Sequence, residues 1–199
     1  MTEEKTEQMR LLRDEVVNLT QSPLYNYRTQ NNYFPVIGHG SHDAKIMFIG
    51  EAPGENEAKT GRPFVGASGK LLDKLLESIS LKRDDVYITN IVKDRPPDNR
   101  DPTKEEIVLY SPFLERQIEI LKPQVIATLG RFSMEFILIK FDAPEKKQKI
   151  SALHGKLLNL KTPYGDISMV PLFHPATALY KGDLKDTLFE DFKILKQFV

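Results

Sequence analysis

The chain has 199 residues, 40 % of them hydrophobic, and 28 basic residues balance 28 acidic ones to a net charge of zero. That length suits a single domain with a core that needs no covalent staple, here expected over 1–199 with 1–43 as an N-terminal helix and loop extension packed on it. No apolar run approaches the roughly 20 residues that span a bilayer, and the charged start Met1–Lys5 has no apolar signal segment, so a soluble cytoplasmic protein is expected.

In chain order, residues 5–19 carry Met9, Leu12, Val16 and Leu19 at helical spacing. Residues 20–43 are polar and aromatic, with Pro23, Pro35 and Gly38, and read mostly as loop. Lys45–Gly50 is a short apolar run ending in glycine, a buried strand that leaves through Glu51-Ala52-Pro53-Gly54. A helix is predicted at about 67–79 on Leu71, Leu72, Leu75, Leu76 and Ile79, then a strand over 86–92. Thr103-Lys104-Glu105-Glu106 opens a helix of capping-box type that runs to about Leu121. A third strand follows at Val125–Gly130, then a helix, a fourth strand at Ile167–Leu172 and a last helix at about 186–198. Strands that alternate with helices predict an α/β fold, three-layer α/β/α, with a central, mainly parallel four-stranded sheet. Ligands of such folds sit at the carboxyl ends of the strands, which is where Glu51–Gly54, Asn90 and His174-Pro175-Ala176 fall.

The chain has no cysteine, which excludes disulfides, thiolate metal sites and cysteine nucleophiles. His39, His42, His154 and His174 are too scattered to suggest a zinc site, so no metal is expected. The balanced charge counts against nucleic-acid binding, where a basic footprint is usual, but does not exclude it, because an enzyme that scans DNA needs only a local positive surface.

Gly50-Glu51-Ala52-Pro53-Gly54, Gly61-Arg62-Pro63-Phe64-Val65-Gly66, Tyr87-Ile88-Thr89-Asn90 and His174-Pro175-Ala176, in this order and spacing, resemble the family 4 uracil-DNA glycosylases. Lys93–Arg100 matches as well, and the resemblance covers roughly residues 15–195. It implies a base-excision repair enzyme that flips uracil out of DNA at a cost of a few kcal/mol. Phe64 matches the phenylalanine that stacks on the flipped ring, and Asn90 the asparagine that reads its Watson–Crick edge. One amide can donate to O4 and accept from N3–H, a pattern that cytosine reverses. His174 matches the histidine that bonds uracil O2 and steadies the leaving anion. Glu51 stands where the family places an acidic residue, able to act as the base toward water or as an electrostatic partner of the cationic sugar. Ala52 and Gly54 are expected to contact uracil through backbone N–H groups, and Glu57 matches an acidic position of the motif. Arg62, the wedge residue Leu179 and Lys181 are the expected DNA contacts.

The chain departs from the family in two places. The relatives' four-iron, four-sulfur cluster is held by four cysteines, whose positions here are Leu19, Ser22, Asp94 and Tyr110. No cofactor is therefore expected, and packed aromatic surface from Tyr25, Tyr27, Tyr33 and Tyr110 is the expected replacement. In a related subgroup a histidine after the second strand bonds covalently to the DNA sugar; Lys93–Pro102 contains none. His154 is read as structural or phosphate-contacting. The expected partner is uracil-containing DNA and the expected state a monomer. Three activities stay open: hydrolysis of the uracil N-glycosidic bond to leave an abasic site, binding of uracil-containing or damaged DNA with little cleavage, and hydrolysis of free nucleosides.

Overall fold

The computed structural model describes residues 2–199. Six strands, β1 (His39–Gly40), β2 (Ile46–Gly50), β3 (Tyr87–Asn90), β4 (Val125–Leu129), β5 (Leu158–Thr162) and β6 (Gly165–Leu172), form one sheet in the order β1-β3-β2-β4-β6-β5. The helices are α1 (Thr2–Val17), α2 (Tyr25–Gln30), α3 (Glu55–Thr60), α4 (Ala67–Ser78), α5 (Lys104–Leu121), α6 (Arg131–Lys140), α7 (Ile150–Leu153), α8 (Pro175–Leu179) and α9 (Gly182–Phe192).

The four strands expected from sequence are the parallel centre, β3-β2-β4-β6. The sheet nonetheless has six strands, not four, because β1 and β5 add antiparallel edges. β5 forms a hairpin with β6 and buries only alternate residues, so it lacks the largely buried run of the central strands. The stretch 20–43, read mostly as loop, also holds α2 and β1. The last helix starts at Gly182, earlier than expected, and tightens into 3-10 geometry over Lys193–Phe198.

Every residue of β2 is buried, and its side chains alternate between two cores. Met47 and Ile49 join Tyr110, Leu114 and Ile118 of α5 and Leu12 and Val16 of α1. Ile46 and Phe48 join Leu72, Leu75 and Leu76 of α4 and Phe192 of α9, where Phe48 and Phe192 stack with centroids 5.7 Å apart. Each fully buried aliphatic side chain contributes about 1.5–3 kcal/mol, so the two cores clamp the sheet from both faces. The capping box forms as expected: Thr103 Oγ1 accepts from the Glu106 N–H and the Glu106 carboxylate accepts from the Thr103 N–H. This sheet brings Gly50 and Asn90 side by side as register partners at the carboxyl ends of β2 and β3.

Candidate active site

A cavity of about 340 Å³ opens at these strand ends, within the size range of small-molecule sites. Glu51, Ala52 and Gly54 from the loop after β2, Asn90 from β3, and His174 after β6 all line it, together with Glu57 and Phe64. The cavity thus brings together every residue expected to touch uracil or act in its release. Arg62, Leu179 and Lys181 lie outside its lining and are exposed.

Gly50 makes the space in which Asn90 and Phe64 meet. A Cβ at Gly50 would stand 2.3 Å from Asn90 Oδ1 and 2.8 Å from Phe64 Cζ, closer than real Cβ contacts allow. Asn90 is buried and its backbone is also held. The Lys93 ammonium, itself fully buried, donates to the Asn90 carbonyl at 2.6 Å, to Thr89 Oγ1 at 2.8 Å and to Gln117 Oε1 at 2.5 Å. Burial pushes the Lys93 ammonium well below the usual lysine range, and three oxygen acceptors use all three of its N–H bonds.

Phe64 sits in the left-handed region at φ 53°, a conformation that costs a non-glycine residue about 1–2 kcal/mol. Two charged side chains hold it there. Glu57 Oε1 accepts from the N–H groups of Val65 and Gly66 at 2.8 and 3.0 Å. Arg83 donates to the carbonyls of Pro63 and Phe64 and is itself paired with Asp73. A Cβ on Gly69 would collide with the Phe64 carbonyl oxygen at 1.7 Å, so α4 approaches this turn only through a glycine. The Phe64 ring faces the His174 ring with centroids 5.7 Å apart. Arg83 is a residue that the sequence does not betray, because within Lys82-Arg83-Asp84-Asp85 it looks like one of a run of surface charges.

His174 caps the N-terminus of α8, its Nδ1 accepting from the Ala176 N–H at 3.1 Å. That bond leaves the ring proton on Nε2 in the neutral imidazole. Burial lowers the His174 pKa to about 4, partly opposed by Glu57. Glu51 is shifted the other way, to about 7, by burial and by the nearby negative charge of Asp101, with Arg131 opposing. One site therefore holds a neutral histidine donor and a carboxyl poised near neutrality, a separation typical of acid–base machinery. Asp101 lines the cavity with Pro96, Asn99 and Arg100 from the loop before α5, a rim whose role the sequence left unread. His154 lies elsewhere: its Nδ1 is 2.8 Å from Asp191 Oδ2 and its ring packs on Phe173.

The profile of the uracil DNA glycosylase superfamily matches residues 37–193. The chain belongs to this superfamily. A type-4 uracil-DNA glycosylase of Sulfurisphaera tokodaii is 46 % identical over 187 residues, 94 % of this chain and 82 % of the relative. One from Archaeoglobus fulgidus is 45 % identical over 84 % of this chain and 82 % of the relative. One from Thermotoga maritima is 39 % identical over 98 % and 96 %.

The iron–sulfur cluster implied by the family 4 resemblance does not fit the residues that stand at its ligand positions. Leu19 has no donor atom, and Ser22, Asp94 and Tyr110 are bonded to one another rather than open to a metal. Among the described residues no group of three or more His, Cys, Asp or Glu side chains is placed to hold a metal ion. Of the tyrosines expected to fill the place with packed aromatic surface, Tyr110 alone belongs to the buried core there, and it also acts through its hydroxyl; Tyr25, Tyr27 and Tyr33 are only half-buried and stand outside that cluster.

Proposed function

We propose that Asn90, Phe64, His174 and Glu51 carry the hydrolysis of the N-glycosidic bond between uracil and deoxyribose in DNA. The chain is a monofunctional uracil-DNA glycosylase, and the observation that carries the residue roles is the convergence of these four side chains on one cavity. Phe64 stacks on the flipped base. The Asn90 amide donates to O4 and accepts from N3–H. The N1–C1′ bond breaks and its electron pair leaves with uracil. The Nε2–H of His174 donates to O2, where the negative charge gathers. Ionised Glu51 faces the cationic sugar and orients water, which adds to C1′ and gives its proton to the Glu51 carboxylate, leaving an abasic site. Ala52 and Gly54 offer backbone N–H groups to the base, and Glu57 holds the Phe64 turn against it. Arg62 and Lys181 meet phosphates, and Leu179 enters the space the base has left. The fixed dipoles and charges account for catalysis without an iron–sulfur cluster. The 199 residues act as one domain, a cytoplasmic monomer, and no helix among the described residues is long and apolar enough to cross a membrane.

A uracil-containing oligonucleotide treated with the protein and then hot alkali should break at the uracil site. Intact strands with tight binding would support a binding module instead, and release from free deoxyuridine a nucleoside hydrolase. The purified protein should be colourless, with well under one iron atom per chain.

A further inference from the structure

We propose that a buried network of Ser22, Tyr110, Asp94 and Arg28 replaces the cluster as a cross-link between distant chain segments, and that it positions the rim loop of the uracil pocket. The second half of this proposal rests on the function assigned above.

Three of the four former ligand positions have become one chain of hydrogen bonds. Tyr110 Oη donates to Asp94 Oδ2 at 2.5 Å, and Ser22 Oγ lies 2.7 Å from Tyr110 Oη. Because the phenol proton is committed to the carboxylate, the Ser22 hydroxyl is the donor of the second bond. Its own oxygen accepts from the Leu24 N–H at 3.1 Å. On the other side Arg28 Nη1 reaches both Asp94 oxygens at 3.1 and 3.2 Å. The same guanidinium donates to the carbonyls of Val16 and Val17 at the end of α1. The fourth position, Leu19, joins the surrounding apolar core. All four network residues are at most 5 % exposed. The bonds tie α1, the α1–α2 connection, α2, the loop after β3 and α5 together, as a bound cluster would. In such a setting a fully satisfied network is rigid, and losing one member leaves buried polar groups unpaired.

The residue after Asp94 extends this anchor into the pocket rim. Arg95 donates to Asn99 Oδ1 at 2.8 Å and to the Tyr33 hydroxyl at 2.9 Å. Asp98 and Asn99 both take left-handed backbone conformations, φ 56° and 53°, which need support from their surroundings. At the far end Arg100 forms a bidentate pair with Glu106, inside the cap of α5. The loop between these anchors supplies Pro96, Asn99, Arg100 and Asp101 to the cavity. Asp94 and Tyr110 are positioning residues: they touch no substrate and act through the rim.

The test uses Tyr110→Phe, Ser22→Ala, their double variant and Asp94→Asn in the full chain. Each single change should lower Tm by about 5–10 °C, and the double variant should lose less than the sum. At a temperature where circular dichroism shows Tyr110→Phe fully folded, the enzyme concentration that half-saturates single-turnover uracil release should rise about fivefold, roughly 1 kcal/mol. The limiting rate should change much less, because the chemical groups stand on other segments. An unchanged Tm in Tyr110→Phe, or strict additivity, overturns the cross-link even if Asp94→Asn fails to fold. A lowered Tm with unchanged half-saturation overturns the positioning of the rim. A wild-type chain that releases no uracil defeats the assigned function, and the Tm series still judges the network.

Discussion

The backbone N–H of Ala176 donates to Nδ1 of His174, and this one bond decides which ring nitrogen can face a substrate. With Nδ1 occupied as an acceptor, Nε2 carries the proton and can donate to a developing oxyanion. A pKa near 4 keeps the ring neutral at physiological pH. His174→Ala should therefore slow single-turnover uracil release about a hundredfold, the usual cost of one lost donor to a developing anion, while affinity for uracil-containing DNA changes little. Gel-resolved single-turnover kinetics with enzyme in excess, paired with a binding titration, measure both. A loss confined to binding would place His174 outside the chemical step.

Glu51 should set the acid limb of the pH–rate profile. Its folded pKa of about 7 means that the ionised form is half populated at neutrality. If the carboxylate is the active form, the rate falls about tenfold per pH unit below 7 and levels off above it. His174 adds no break in this range, since it titrates near 4. Glu51→Gln should be slower by about a hundredfold and lose the limb.

The same shift has a consequence for stability. Because the folded pKa lies above the ordinary value of 4.5, the native state binds more protons than the unfolded chain between about pH 4.5 and 7. Stability therefore falls as pH rises through this window. Glu51→Gln should gain Tm over wild type as pH rises from 5 to 8, and thermal melts across that range would show the two curves diverging. Parallel curves would mean that Glu51 is not held in its unfavourable setting.

Gly50→Ala tests the shape of the pocket. The added methyl would press on Asn90 Oδ1 and Phe64 Cζ, and overpacking of this kind costs about 1–3 kcal/mol. Displacing the Asn90 amide and the Phe64 ring should lower kcat/KM for uracil release at least tenfold, by roughly 1.4 kcal/mol or more. Asn90→Asp should likewise weaken uracil removal, and its protonated form offers the edge pattern that suits cytosine. Assays on matched uracil and cytosine oligonucleotides separate loss of fit from change of reading.

Leu179 and Tyr180 stand next to each other at the end of α8, 40 % and 89 % exposed. A wedge is needed to hold a base out of a duplex and is idle on a single strand, since only the duplex resists flipping. Leu179→Ala should cost roughly tenfold on double-stranded substrate, part of the few kcal/mol of unstacking, and little on single-stranded substrate. Equal losses on both substrates would assign Leu179 to packing, and Tyr180→Ala run alongside would show whether the tyrosine fills the gap.

The amino-acid order by itself determined the parallel centre of the sheet, because its strands are short, largely apolar stretches that alternate with helical patterns. It also determined where α5 begins, since a capping box needs only residues three apart. The cavity-lining residues Glu51, Phe64, Asn90 and His174 were legible as well, through motifs that occupy short contiguous stretches. The two edge strands escaped: a two-residue strand has no period, and β5 shows only the half-buried alternation of a hairpin arm. What tertiary structure alone decided depends on groups far apart in the chain. The rim aspartate that lifts Glu51, the arginine that holds Phe64, and the serine, tyrosine and arginine that surround Asp94 carry no local pattern. Their roles exist only once folding brings these distant groups together and takes water away from the bonds between them.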